Sequence, residues 1–148
     1  MTTGPHWDLE AMPRSPRPEV GQTWAVNAGD VFSSAPELAR LTLNVAHVHH
    51  DQFSQPTGAL VYGGHTIGLA LAQLTRNMPN VLTVAGWHSC DHLGPVCEGD
   101  TLISTIEVTD VSNVHEGLLA VSLRVRVSAR RGGDVSPVLA WRLAVILT

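Results

Sequence analysis

The sequence contains no lysine: all nine of its basic residues are arginine, set against thirteen Asp and Glu for a net charge of -4. No basic block and no aromatic–basic stripe occurs, which excludes nucleic acid as the expected partner. Cysteine is scarce too. Cys90 and Cys97 are the only two, too few for a disulfide framework, and with no secretory leader ahead of them they read as reduced thiols of a cytoplasmic protein. Met1–Pro18 is polar, carries Pro5, Pro13, Pro16 and Pro18, and lacks the apolar core of a signal peptide. No apolar run approaches the roughly 18 residues of a membrane span.

What remains is enough for one domain. A length of 148 residues fits a single core. Charged residues make up only 15% and hydrophobic ones 44%, the balance of a folded chain rather than a disordered one. Residues 1–18 read as a tail with Trp7 as its one anchor, and residues 19–148 as the domain.

The order of elements is legible from periodicity. A short strand is expected through Gln22–Val26. Ser34-Ala-Pro-Glu37 has the form of a capping box with proline in the first turn. It predicts a helix from Pro36 to about Asn44 with Leu38, Leu41 and Val45 facing inward. The stretch from Ala46 to Gly58 is rich in polar and breaker residues and reads as a loop, where function tends to collect. A second helix is expected from Gly64 to about Arg76. Apolar residues occupy nearly all its faces, which predicts burial all round. The period then changes to two: Val81–His88, Thr101–Val111, Leu118–Ala129 and Val138–Leu147 read as strands joined by Gly- and Asn-containing turns. Val121, Leu123, Val125 and Val127 alternate with Ser122, Arg124, Arg126 and Ser128, so one face is buried and the other wetter. The class is α+β: strand, helix, loop, apolar helix, antiparallel meander.

Several segments together resemble the MaoC-like dehydratases, the (R)-specific enoyl-CoA hydratase family. Asn44-Val-Ala-His-Val-His-His-Asp51 resembles the hydratase motif, which usually reads Asp-x-Asn-Pro-x-His-x-Asp. Leu60-Val-Tyr-Gly-Gly-His65 resembles the start of the family's central helix, Gly94-Pro-Val-Cys-Glu-Gly-Asp-Thr101 its turn into the meander, and Glu19-Val-Gly-Gln22 its opening strand. The Tyr-Gly-Gly-His form, with His92 ahead of Pro95, is most similar to the mesaconyl-CoA hydratase branch. The resemblance implies a single hotdog fold, an antiparallel sheet wrapped around a buried central helix, and reversible hydration of a 2-enoyl thioester on CoA or a carrier protein. It implies a homodimer or a heterodimer with another hotdog subunit. It implies no cofactor and no metal.

Carried over by position, His49 stands for the catalytic histidine, Gly64 for the glycine whose amide meets the thioester oxygen, and Asp51 for the trailing aspartate. Gly63, His65 and His92 join Asp51 as substrate-binding candidates. The sequence departs from the motif where it matters most: Asn44 occupies the position of the catalytic aspartate, Ala46 that of the asparagine and His47 that of the proline.

These residue types suit the chemistry. Hydration needs a base for the water, an acid for the α-carbon and a donor for the enolate oxygen. Histidine titrates near neutrality. A helix-start amide favours developing negative charge. Asn44 can position a water or a histidine but cannot take up a proton; asparagine also suits a helix C-terminus. His49 can equally bond a neighbouring carbonyl, Asp51 can cap the loop, and Gly63-Gly64 can serve close packing alone. His47, His49, His50 and Asp51 suggest a metal site, but no second spaced motif accompanies them. His88, Asp91 and His92 form another polar group at a strand end. Two other readings stay open. A hotdog thioesterase would need a carboxylate on the central helix, and residues 64–76 hold none. A non-catalytic acyl-binding or structural hotdog subunit is favoured by Asn44.

Overall fold

A computed structural model describes residues 11–26, 28–115 and 117–148. Trp7 and Glu116 lie outside them. The long elements begin at β3. Strands β3 (Val81–His92), β4 (Thr101–His115), β5 (Leu118–Arg131) and β6 (Asp134–Leu147) follow α2 (Gly63–Asn77). They pair antiparallel in the order β1-β4-β5-β6-β3, with β1 (Thr23–Ala25) at one edge and β2 (Asp30–Val31) also on β4. Strand β2 carried no period-two signal because two residues cannot show one.

The alternation expected in the meander sets the core. Val121, Leu123, Val125 and Val127 are all buried, and their neighbours face outward. Val125 stands opposite both Ile106 of β4 and Trp141 of β6. These three pack in one cluster with Ala70 and Leu74 of α2. Burying a leucine completely contributes about 1.5–3 kcal/mol, so Leu74 fixes α2 to the sheet. Each of these four strands runs two to four residues further than its expected stretch, because ladder hydrogen bonds continue past the last buried side chain.

Two expectations fail at the first helix. α1 covers only Ala35–Leu41, and Ser34 adopts a left-handed conformation (φ 56°) with no side-chain cap bond, so no capping box forms. The inward face is Ala35 and Ala39, while Leu41 and Val45 are 80% and 77% exposed. The helix stops because Leu43 also turns left-handed (φ 58°), which leaves Val45 off the helical register. The second correction concerns α2. Only Thr66, Ala70, Gln73 and Leu74 are buried, and Gly64, Gly68 and Ala72 are exposed. The helix is apolar all round, yet one sheet covers one side of it.

Candidate active site

The loop before α2 is held by backbone bonds. A 3-10 turn, His47–His49, closes with His49 N–H donating to Ala46 at 2.9 Å. Leu60 N–H reaches the Val48 carbonyl at 2.8 Å, and Val61 N–H the Val96 carbonyl at 2.8 Å. Leu60 also bridges Cys97 antiparallel. The loop, the start of α2 and the Leu93–Val96 turn are therefore laced together before any side chain is considered.

That lacing builds a cleft of about 180 Å³ lined by His49, Gly63, Thr66, His92, Pro95 and Val96 among others. The half-buried His49 ring lies with Nδ1 2.7 Å from the Leu60 carbonyl oxygen. A carbonyl only accepts, so Nδ1 carries the proton and the neutral ring leaves Nε2 as its lone-pair nitrogen. Gly63 opens α2. A Cβ placed on it would sit 2.5 Å from His92 Nε2, so only glycine admits the His92 ring at this close approach. Gly64 is likewise constrained, for its Cβ would collide with the Tyr62 ring. The first amides of an α-helix have no acceptor within it. His65 N–H turns back to the Tyr62 carbonyl at 3.0 Å, and Tyr62 supplies no side-chain cap.

The other candidates fall elsewhere. Asn44 lies past the end of α1, its N–H bonded to the Ala39 carbonyl at 2.9 Å, and it does not line the cleft. Asp51 accepts from the Phe53 N–H at 2.8 Å and stands 3.6 Å from His47 Nε2, the local turn-forming role. His65 packs edge-on against Phe32 at 5.0 Å between ring centres. Burial drives its pKa below the ordinary histidine value, partly offset by Glu98, and its buried Nδ1 has no partner. Among the described residues no group of three His, Cys, Asp or Glu is arranged to hold a metal ion. Burial pushes the Cys90 thiol up, and Asp91 adds to this, opposite to what a thiolate nucleophile needs. Glu107 pairs with Arg124 at 2.9 Å and Arg126 at 3.3 Å.

Sequence reasoning passed over Tyr62 and Thr66. Tyr62 stands between His49 and His65, 6.4 Å from each ring, and Thr66 is buried at the cleft wall. Tyr62 had a usable signal, its place directly before Gly-Gly-His. Thr66 had none, because its inward direction depends on the phase of the helix.

Two curated proteins match part of the chain. Mesaconyl-CoA hydratase of Cereibacter sphaeroides is 33% identical over 95 residues, 64% of this chain and 27% of its own length. β-Methylmalyl-CoA dehydratase of Chloroflexus aurantiacus is 30% identical over 99 residues, 28% of its length. The fold is the hotdog, and over 64% of its length the chain is similar to a CoA-thioester hydratase and a dehydratase. No family model matches. Among solved structures, a conserved hypothetical protein of Mycobacterium tuberculosis, described as a double hotdog fold and essential for survival during infection, is 42% identical over 99% of this chain with a TM-score of 0.78. This chain covers 42% of that one. It thus spans about a quarter of the curated relatives' length and under half of the double hotdog. No helix among the described residues is long and apolar enough to cross a membrane.

Proposed function

We propose that this hotdog domain catalyses the reversible hydration of a 2-enoyl thioester, with CoA or an acyl-carrier protein as the carrier. The observation that carries the reading is the cleft in which the His49 imidazole and the glycine start of α2 stand together. His49 Nε2 takes a proton from the attacking water. The Gly64 amide polarises the thioester carbonyl, next to Gly63 at the cleft wall, where the dipole of α2 favours the enolate charge. Asn44 lies outside the cleft, and the proposal gives it no proton to carry. The names of the two curated relatives, a CoA-thioester hydratase and a dehydratase, support the reaction class.

A second hotdog, another copy or a homologous subunit, belongs to this reading. The uncovered side of α2 and the edge of β3, which is unpaired among the described residues, support it, as does the likeness to part of a double hotdog. The test is loss of enoyl absorbance with purified protein and crotonyl-CoA, then longer and branched enoyl-CoAs. Turnover abolished by His49→Ala supports the enzyme. Turnover that appears only after a second hotdog subunit is added, and that His49→Ala leaves unchanged, points to the binding-subunit reading that Asn44 favours.

A further inference from the structure

Hydration moves two protons. One leaves the water as its oxygen bonds the β-carbon, and one arrives at the α-carbon as the double bond becomes single. Where a carboxylate would share this work, Asn44 cannot, because an amide neither gives nor takes a proton near neutrality. His49 cannot easily do both. Its Nδ1 is committed to the Leu60 carbonyl at 2.7 Å, so it trades protons through Nε2 alone.

The same cleft contains a second imidazole. His92 is the last residue of β3, opposite Leu139 of β6, and Leu93 N–H beside it donates to the Val138 carbonyl at 2.9 Å. This end of the strand is pinned against the opening of α2, where the missing side chain of Gly63 leaves room for the ring. His92 and Gly63 both line the cleft with His49. Resting on the hydratase reading above, we infer that His92 is a catalytic residue, the proton donor to the α-carbon that pairs with His49 in place of the missing carboxylate. In hydration the water proton goes to His49 Nε2, hydroxide oxygen bonds the β-carbon, and the enolate α-carbon takes a proton from the His92 imidazolium. Solvent then returns the proton from His49 to His92, so one water is added and no redox partner is required. Gly63 has a role of its own in this arrangement: it keeps the donor ring in the cleft.

The experiment follows crotonyl-CoA hydration by wild type, His92→Gln, His92→Ala, Gly63→Ala and a His88→Ala control on the same strand, each checked for native circular dichroism. General acid loss predicts that kcat of both His92 variants falls about 10²–10⁴-fold while KM stays within about threefold. Added imidazole then restores part of the His92→Ala rate, which a purely structural residue would not allow. Gly63→Ala, by displacing the ring, lowers kcat in wild type and adds little to His92→Ala. Full activity in His92→Gln with an active wild type overturns the histidine pair and leaves the hydratase reading intact. Loss without rescue, accompanied by a raised KM, overturns it in favour of a binding role. A wild type inert toward every enoyl thioester, alone and with a second hotdog subunit, overturns both.

Discussion

The His49 ring is anchored through Nδ1 to the carbonyl oxygen of Leu60, 2.7 Å away and eleven residues along the chain. This contact chooses the tautomer, so the base is prepared before substrate arrives. Two-bond nitrogen–proton spectra of the neutral protein are expected to show His49 with its proton on Nδ1. His49→Gln, which cannot act as a base, is expected to lower turnover by about 10²–10⁴-fold. A ring found with its proton on Nε2 would remove the base from the proposal.

Asn44 stands in the motif position of a carboxylate but not at the wall of the cleft. Its N–H is spent on the Ala39 carbonyl at the end of α1. Asn44→Asp is therefore expected to change crotonyl-CoA turnover less than about tenfold, since a general base must come within hydrogen-bond reach of the water it activates. A gain of a hundredfold or more would place residue 44 at the reacting water and displace His92 from its role.

These cases mark how much was legible in the sequence. The meander could be read because alternating burial writes period two directly into β5, and Val121 to Val127 obey it. The Gly-Gly-His start of α2 was likewise visible to within a residue. The one-sided burial of α2 was not, because composition says a helix is apolar without saying what covers it. The first helix misled for a related reason: a local pattern at Ser34 proposed a cap, and tertiary constraints turned that residue left-handed instead. The site was legible as a set of residues but not as a set of contacts. Nothing in sequence spacing brings His92 of β3 to Gly63, twenty-nine positions earlier; the bond from the Val61 N–H to the Val96 carbonyl and the Leu60–Cys97 bridge do that.

Asp100 is the structural counterpart of the cleft. Its carboxylate is 2% exposed, accepts two bonds from Arg131 at 2.7 Å each, and takes the Cys97 N–H at 2.8 Å. Burial pushes its pKa up, but Arg131 and the Cys97 amide outweigh this and hold it below the ordinary carboxylate value. Asp100→Ala is expected to destabilise the fold by about 2–4 kcal/mol in urea titrations. It leaves Arg131 unpaired, though that arginine is partly exposed and can rehydrate. Because the folded pKa is depressed, this stabilisation is present at neutral pH and fades as pH falls below about 4. An Asp100→Ala variant as stable as wild type would show that the Cys97 turn does not depend on the pair.

The uncovered side of α2 leads to a prediction about assembly. Phe53, Leu41 and Val45 are 85%, 80% and 77% exposed, and the outer edge of the twelve-residue β3 pairs with no strand among the described residues. A free edge of this length invites another strand. Sedimentation at tens of micromolar is expected to give a dimer, and Ala85→Pro, at a position of β3 that has no register partner in β6, to weaken it, since proline cannot donate to a ladder. A wild-type chain that sediments as a monomer at that concentration would mean that the apolar side of α2 is covered by a different hotdog subunit.

His65 links the helix start to acid stability. Its ring is half-buried against Phe32, and burial lowers its pKa, with Glu98 opposing the shift. A histidine whose folded pKa is depressed resists protonation while the unfolded chain accepts it. Its contribution is therefore complete above the unfolded value of about 6.5 and is lost as pH falls from there toward the folded value. Wild type is expected to lose stability across that window, followed by thermal melting at pH 7.5 and 5.5. His65→Gln keeps a polar side chain of similar size but cannot titrate, so its loss between the two pH values should be smaller. Equal losses in both proteins would mean that another group carries the acid sensitivity and that the His65 ring takes up its proton as readily in the fold as in the unfolded chain.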